Sequence, residues 1–297
     1  MKKKTIYALG FFDGVHIGHQ ALLQMCRRLA DETGCKAAAV TFSSHPDTLV
    51  LGNTPKLINT SEDRVQLLKA AGMDDVIVLP FDKQMMSCHW QDFLTLLIER
   101  YGAAGLVCGH DFRFGNRGEG NAKLLLEYCK GKDMPCAVVP EQKLDGTTVS
   151  STHIRALLEQ GSIEQANAFL GHPHILSGTV VSGRKLGRTL GIPTANISIP
   201  EEVVTLPFGV YACKANVEEQ EYLAVTNIGN RPTVGGHRVT VEPWLLDFEG
   251  DLYGKPLTLS FYSFLRRERK FPSLDALKEE IGKNALQTRK FFENNTK

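Results

Sequence analysis

Two histidines stand three residues apart in GFFDGVHIGHQALL (10–23), His16 and His19, where an apolar run gives way to an amphipathic pattern. At a helix start, imidazoles at that spacing share a face with backbone N–H groups that lack intrahelical acceptors. Such a face suits a phosphate. Gly10, Gly14 and Gly18 leave room for a ligand against the backbone, and Asp13 is placed to cap the helix. Zinc binding, a satisfied core pair and plain glycine packing compete with this reading, although zinc lacks a third ligand at suitable spacing. A second anion site is written in VSSTHIRALLEQ, where the hydroxyls of Ser150, Ser151 and Thr152 precede or open a helix and Arg155 follows within a turn. A capped helix with a solvated arginine is the alternative there. A third is GRKLGRTLGIPTANISI (183–199), a basic glycine loop with Gly183, Lys185 and Gly187, followed by Thr194 and Asn196. Two residues apart, Thr194 and Asn196 share one face of an extended chain, and their oxygens suit Mg²⁺ held jointly with nucleotide phosphates. A hairpin turn with an edge-strand proline competes. GNRGEGN (115–121) has P-loop glycine spacing but lacks the following Lys and Ser/Thr, so it is not a Walker motif.

The elements that must position these residues change rhythm along the chain. From residue 5 to about 140, apolar runs such as TIYALGFF, KAAAVTF, DDVIVLPF and AAGLVCG alternate with helical patterns. Strands buried on both faces between helices predict a doubly wound α/β domain with a parallel sheet. Ligands then sit beyond the carboxyl ends of the strands, where GFFDGVHIGH, TFSSHP and CGHDFRFG lie. Two short helices are expected over 151–171. After them, short segments separated by Gly, Pro and Asn predict a small antiparallel β-barrel. A closing helix follows at SLDALKEEIGKNALQTRKFFE, with Leu274, Leu277 and Ile281 on one face. The change of rhythm divides the chain into domains 1–170 and 171–297.

The whole chain of 297 residues carries 34 Lys and Arg against 33 Asp and Glu, so no long-range field favours nucleic acid or an anionic membrane. Its seven cysteines are scattered without a C-x-x-C pair and read as thiols of a reducing cytoplasm. The basic N-terminus meets Asp13 too soon for a signal peptide, and no segment is long and apolar enough to span a bilayer.

GFFDGVHIGH resembles the H-x-G-H motif of nucleotidylyltransferases, whose histidines donate hydrogen bonds to ATP phosphates. CGHDFRFGNRGEGN, VSSTHIRALLEQGSIEQANAFLG, the G-I-P-T-A-N segment and VTVEPWLLDFEGDLYGK together resemble the bacterial FAD synthetases, the bifunctional riboflavin kinase/FMN adenylyltransferases, in family order over about residues 5–292. The resemblance implies a Rossmann-like nucleotidylyltransferase domain followed by a small antiparallel β-barrel of riboflavin kinase type with a terminal helix. It implies FMN made from riboflavin and ATP, then FAD and pyrophosphate from FMN and a second ATP. Riboflavin, FMN, FAD and ATP are the expected partners, with Mg²⁺ accompanying ATP. It places His16, His19, Ser150, Ser151, Thr152 and Arg155 on nucleotide phosphates, and Asp111, Phe112 or Phe114 near a flavin ring. Thr194 and Asn196 are placed at Mg-ATP, and Glu242 as base for the riboflavin 5′-hydroxyl. Arg266 is placed on flavin or phosphate. Without the family, Glu242 reads as an ordinary strand carboxylate and Arg266 as part of a solvated charge run. Three departures stand out: Phe11 where the family commonly has Asn, Asn121 where it has Asp, and Pro243-Trp244 where it has Thr-His. Pro243 removes a strand N–H and is expected to bend the segment around Glu242. Loss of the kinase activity, or a flavin-binding regulator without turnover, are the rival expectations.

Overall fold

TIYAL, buried at every residue, forms β1 (Thr5–Leu9) at the centre of a parallel sheet in the computed structural model. The structure describes residues 4–50, 52, 55–181, 192–233 and 236–295, the side chains at 231–238 excepted. Alternate β1 side chains enter different cores, Ile6 and Ala8 on one face, Tyr7 and Leu9 on the other. That double burial explains the near-continuous apolar runs. The remaining strands of this sheet are β2 (Lys36–Phe42), β3 (Asp75–Leu79), β4 (Ala103–Gly109) and β7 (Cys136–Val139), in the order β3-β2-β1-β4-β7. Two hairpins interrupt the expected rhythm, β5 (Arg113–Phe114) with β6 (Gly120–Asn121), and β8 (Lys143–Leu144) with β9 (Thr147–Thr148). Among the described residues six helices accompany these strands: α1 (Ile17–Thr33), α2 (Pro46–Val50), α3 (Ser61–Ala70), α4 (Lys83–Met86), α5 (Trp90–Glu99) and α6 (Ala122–Gly131). The strand order reverses between β1 and β4, which opens a crevice beyond their carboxyl ends.

The second sheet is antiparallel at every strand pair, in the order β10-β15-β12-β13-β14-β11. Its strands are β10 (His174–Thr179), β11 (Ile197–Ser198), β12 (Gly209–Val217), β13 (Gln220–Thr233), β14 (Gly236–Leu245) and β15 (Pro256–Arg267). Beyond the edge strands the Val181 N–H donates to the Asn196 carbonyl at 2.8 Å, so the sheet nearly closes on itself. Helices α7 (Ser151–Gln160) and α8 (Ile163–Leu170) bury Ile154, Leu158, Ile163, Ala166 and Leu170 in the core that contains Leu176, Tyr211 and Phe261. The chain accordingly divides into compact units 1–57 with 61–151, and 58–60 with 152–297. The closing helix α9 (Leu274–Asn294) turns Asn284, Ala285, Thr288 and Phe292 inward. Leu274, expected on its apolar face, is exposed because it lies in the first turn, ahead of the buried stripe.

His174 is buried, and burial holds its imidazole down to about 3. An unfolded histidine titrates near 6.5, so the unfolded chain binds this proton first as pH falls. The stability from a neutral His174 is therefore complete above pH 6.5 and is lost toward pH 3, by at most about 1.4 kcal/mol per pH unit. Thermal unfolding followed from pH 7 to pH 5 is expected to show a falling Tm, with a shallower fall in His174→Gln.

Candidate active site

After β1 the chain does not pass straight into a helix. Phe12 (φ 61°) and Val15 (φ 41°) adopt left-handed backbone on either side of Gly14 (φ 79°), which makes a 3-10 turn over Asp13–Val15. Helix α1 starts only at Ile17, and His16 is its N-cap, with Nδ1 accepting from the His19 N–H at 3.3 Å. Asp13 is thus not the cap expected from the sequence; it is buried in the preceding turn, and its carbonyl accepts from the Ser151 hydroxyl at 2.9 Å. A neutral imidazole that accepts at Nδ1 carries its proton on Nε2, so His16 offers a donor there. The His19 ring stacks on it, centroids 3.6 Å apart and planes 12° from parallel. Burial, then His16 and Arg64, hold the His19 pKa well below 6.5. His19 therefore acts as a neutral hydrogen-bonding group, which avoids two stacked cations. A side chain at Gly18 would place its Cβ 3.2 Å from His16 Nδ1, against the cap.

His16, Gly18 and His19 line a cavity of about 470 Å³ together with Gly10, Asp111, Phe112, Ser150 and Ser151. These residues follow β1, follow β4 and precede or open α7, so they converge at the switch point of the sheet. Gly14 and Asp13 form the turn behind that lining. Thr152 and Arg155 fall in the second compact unit, where the Arg155 guanidinium donates to Thr152 Oγ1 at 3.1 Å. Two residues escaped the sequence reading. His45, from TFSSHP, lines the same cavity and meets the Phe11 ring edge-on at 4.7 Å. Arg64 is fully buried, donates to the Phe42 carbonyl and lies 4.2 Å from the Phe11 ring centroid. Burial lowers its pKa to about 10, against the restoring charges of Asp13 and Glu62. It supplies a fixed positive charge behind the histidine turn, and nothing in the surface pattern of α3 marks it out.

A second cavity, of about 850 Å³, shares Phe42, Pro46, Phe112 and Arg113 with the first and is further walled by Phe81, Met85, Phe93 and Phe114. Phe112 and Phe114 stack with centroids 5.4 Å apart; Phe114 is packed into the core against Phe93, whereas Phe112 is half-buried and reaches both cavities. Aromatic and methionine walls of this kind accept a flat heteroaromatic ring.

In the second unit, a cavity of about 350 Å³ brings together Thr194, Asn227, Glu242, Trp244, Arg266 and Phe271 over a floor of Val210, Val225, Leu277 and Ile281. Glu242 and Asn227 are register partners across β14 and β13. Burial alternates along 194–197, with Ala195 and Ile197 buried and Thr194 and Asn196 half-buried, as the extended reading requires. Thr194 also lines a small adjoining cavity with Gly250 and Asp251, while Asn196 is on the lining of neither. Arg266 is tied down: its Nε lies 3.1 Å from Asn284 Oδ1 and 3.3 Å from Glu280 Oε1. It shapes one wall of the cavity from that position. Gly183, Lys185 and Gly187 lie outside the described residues.

Comparisons with known proteins match the chain in two segments. The family described as FAD synthetase matches residues 1–153, and that described as riboflavin kinase matches residues 170–292. Bifunctional riboflavin kinase/FMN adenylyltransferases of Listeria monocytogenes and Bacillus subtilis are 34% and 35% identical, covering 97% and 98% of this chain and 92% and 93% of theirs. The chain belongs to the bifunctional riboflavin kinase/FMN adenylyltransferase family. The Haemophilus influenzae member is 36% identical, over 96% of this chain and 93% of its own. A crystal structure from Streptococcus pneumoniae, described as a macrolide-efflux protein, matches with a TM-score of 0.85 at 29% identity, covering 97% of this chain and 95% of the other. Among the described residues here, no helix is long and apolar enough to cross a membrane.

The departures from the family pattern now have physical accounts. Asn121 caps α6, its Oδ1 accepting from the Leu124 N–H at 3.0 Å, a task an aspartate performs equally. Phe11 provides the face on which the Arg64 guanidinium rests. Pro243 does not interrupt the strand: the pairs Asn227–Glu242, Thr226–Pro243 and Val225–Trp244 run in register. The Pro243 carbonyl accepts from the Ala195 N–H at 2.9 Å, so its nitrogen faces that side of β14 and no hydrogen bond to β13 is lost. The expected bend around Glu242 is absent for that reason. For Mg²⁺, the donor chemistry fits in a limited way. Thr194 and Asn196 offer neutral oxygens, and the described residues contain no cluster of three or more His, Cys, Asp or Glu that could hold a metal alone. That composition suits an ion carried largely by nucleotide phosphates and water.

Proposed function

We propose that the second unit phosphorylates riboflavin with ATP to give FMN and ADP, and that the first unit joins FMN to AMP from a second ATP. The observation that carries this reading is the presence in one chain of two cavities suited to the two steps. One has stacked histidines at a helix start; the other has a carboxylate beside an aromatic slot.

In the first unit, ATP phosphates lie against His16, His19, Gly18, Ser150 and Ser151, and the flavin ring enters the aromatic cavity past Phe112, with Asp111 at the rim. An oxygen of the FMN phosphate bonds to the α-phosphorus, the α–β bridging P–O bond breaks, and pyrophosphate leaves with the electron pair. Charge shifts onto oxygens facing the His16 Nε2–H and the start of α1, where fixed donors lower the barrier without reorganising. In the second unit, the isoalloxazine ring packs between Trp244 and Phe271, which directs the 5′-hydroxyl toward Glu242. Glu242 accepts the hydroxyl proton as the γ-phosphoryl group arrives. Thr194 and Asn196 are the residues that hold Mg-ATP there, with Gly183, Lys185 and Gly187 of the preceding glycine-rich sequence on its phosphates. The bound ion supplies charge neutralisation on the phosphates. By sequence we assign the adenylyltransferase to residues 1–170 and the kinase to 171–297, so that α7 and α8 belong to the adenylyltransferase segment although they pack in the second compact unit; the seven thiols suit the cytoplasm.

Supplying FMN, ATP and Mg²⁺ without riboflavin tests the adenylylation by itself: FAD and pyrophosphate should form in equal amounts, and FMN left unchanged would remove the adenylylation assignment. Trp244→Ala should raise the KM for riboflavin roughly 10-fold through lost stacking area, with kcat less affected. A loss confined to kcat, measured by FMN formation, would place the ring elsewhere.

A further inference from the structure

We infer that Arg113 holds the 5′-phosphate of the flavin against the ATP site, and so makes the first unit select FMN over riboflavin. The inference rests on the adenylylation reading above and adds the residue that sets its substrate specificity.

Arg113 lines both cavities of the first unit, the one bearing the histidines and the aromatic one. Among the described residues it is the sole Lys or Arg on the histidine cavity; Arg117, the other cation of the aromatic cavity, does not reach it. The β5–β6 hairpin fixes its position through the pairs Arg113–Asn121 and Phe114–Gly120. Phe114 anchors the strand in the core while Arg113, its neighbour, is exposed at the junction. Its guanidinium makes no ion pair or hydrogen bond to a side chain among the described residues, although Asp111 lies two residues away.

A flavin whose ring occupies the aromatic cavity, and whose phosphate must meet the α-phosphorus beside His16 and His19, carries that phosphate across the junction. There a dianion approaches the polyphosphate of ATP, and His19, held neutral by burial, does not offset the repulsion. A guanidinium does, by a forked contact to two phosphate oxygens. The nucleophilic oxygen still forms the new P–O bond, and pyrophosphate still departs with the bridging electron pair. Riboflavin ends in a hydroxyl, gains nothing from that contact, and leaves the cation unmatched.

The test measures FAD formation from FMN and ATP by the full-length wild type, Arg113→Gln and Arg113→Lys. Lumiflavin, a ring without ribityl chain or phosphate, serves as competitor. For Arg113→Gln, kcat/KM for FMN should fall roughly 10- to 100-fold. The lumiflavin inhibition constant and the KM for ATP should each stay within about twofold, and Arg113→Lys should recover part of the loss. Unchanged kcat/KM for FMN would overturn the assignment. So would a parallel weakening of lumiflavin, which marks a wall residue, or a change confined to ATP. Wild type that makes no FAD from FMN would instead overturn the adenylylation reading, and this inference with it.

Discussion

Substituting His16 with Ser is expected to lower FMN adenylylation about 10²- to 10³-fold, the scale associated with losing one fixed donor to a developing oxyanion. Riboflavin phosphorylation by the same molecules should remain within about twofold. Serine retains a capping oxygen for α1, so the helix start survives while the Nε2–H donor and the surface stacked on His19 disappear. The unchanged kinase rate serves as an internal control for folding. Because burial keeps His19 neutral well below pH 6.5, its titration contributes no loss of adenylylation between about pH 6.5 and 8.5. A rate that tracked histidine protonation across that range would place an imidazolium at the phosphates instead.

The complementary result is expected of Glu242→Gln. Removing a general base costs about 10²- to 10⁴-fold, so FMN formation from riboflavin should collapse while FMN to FAD conversion continues. Glutamine matches the carboxylate in size and keeps a hydrogen-bonding oxygen, and Asn227 remains opposite it on β13. A KM effect without a kcat effect, read from initial rates of FMN formation, would make Glu242 a binding residue.

The parts of this arrangement that were legible in the sequence share a short-range cause. TIYAL followed by glycines and H-x-G-H announces strand, turn and helix because periodicity and turn chemistry act over a few residues. The helix cap moved from Asp13 to His16 because Phe12 and Val15, neither a glycine, take left-handed backbone that no composition rule favours. Arg64 was missed because its burial depends on the Phe11 ring and the Phe42 carbonyl, which reach it from distant points in the chain. The effect of Pro243 depended on which neighbour its nitrogen faces, a matter of sheet pairing that a single strand does not record. Likewise, the rhythm of 151–170 announced two helices but not that their apolar faces would pack with Leu176 and Phe261.

Incubating the purified protein with riboflavin, ATP and Mg²⁺, and separating the flavins over time, tests the central claim most directly. FMN should rise first, then decline as FAD accumulates, since each product has a site in the same chain. FMN that accumulates without FAD would contradict the role given to His16 and His19. Riboflavin that persists, alongside ready conversion of added FMN, would contradict the role given to Glu242.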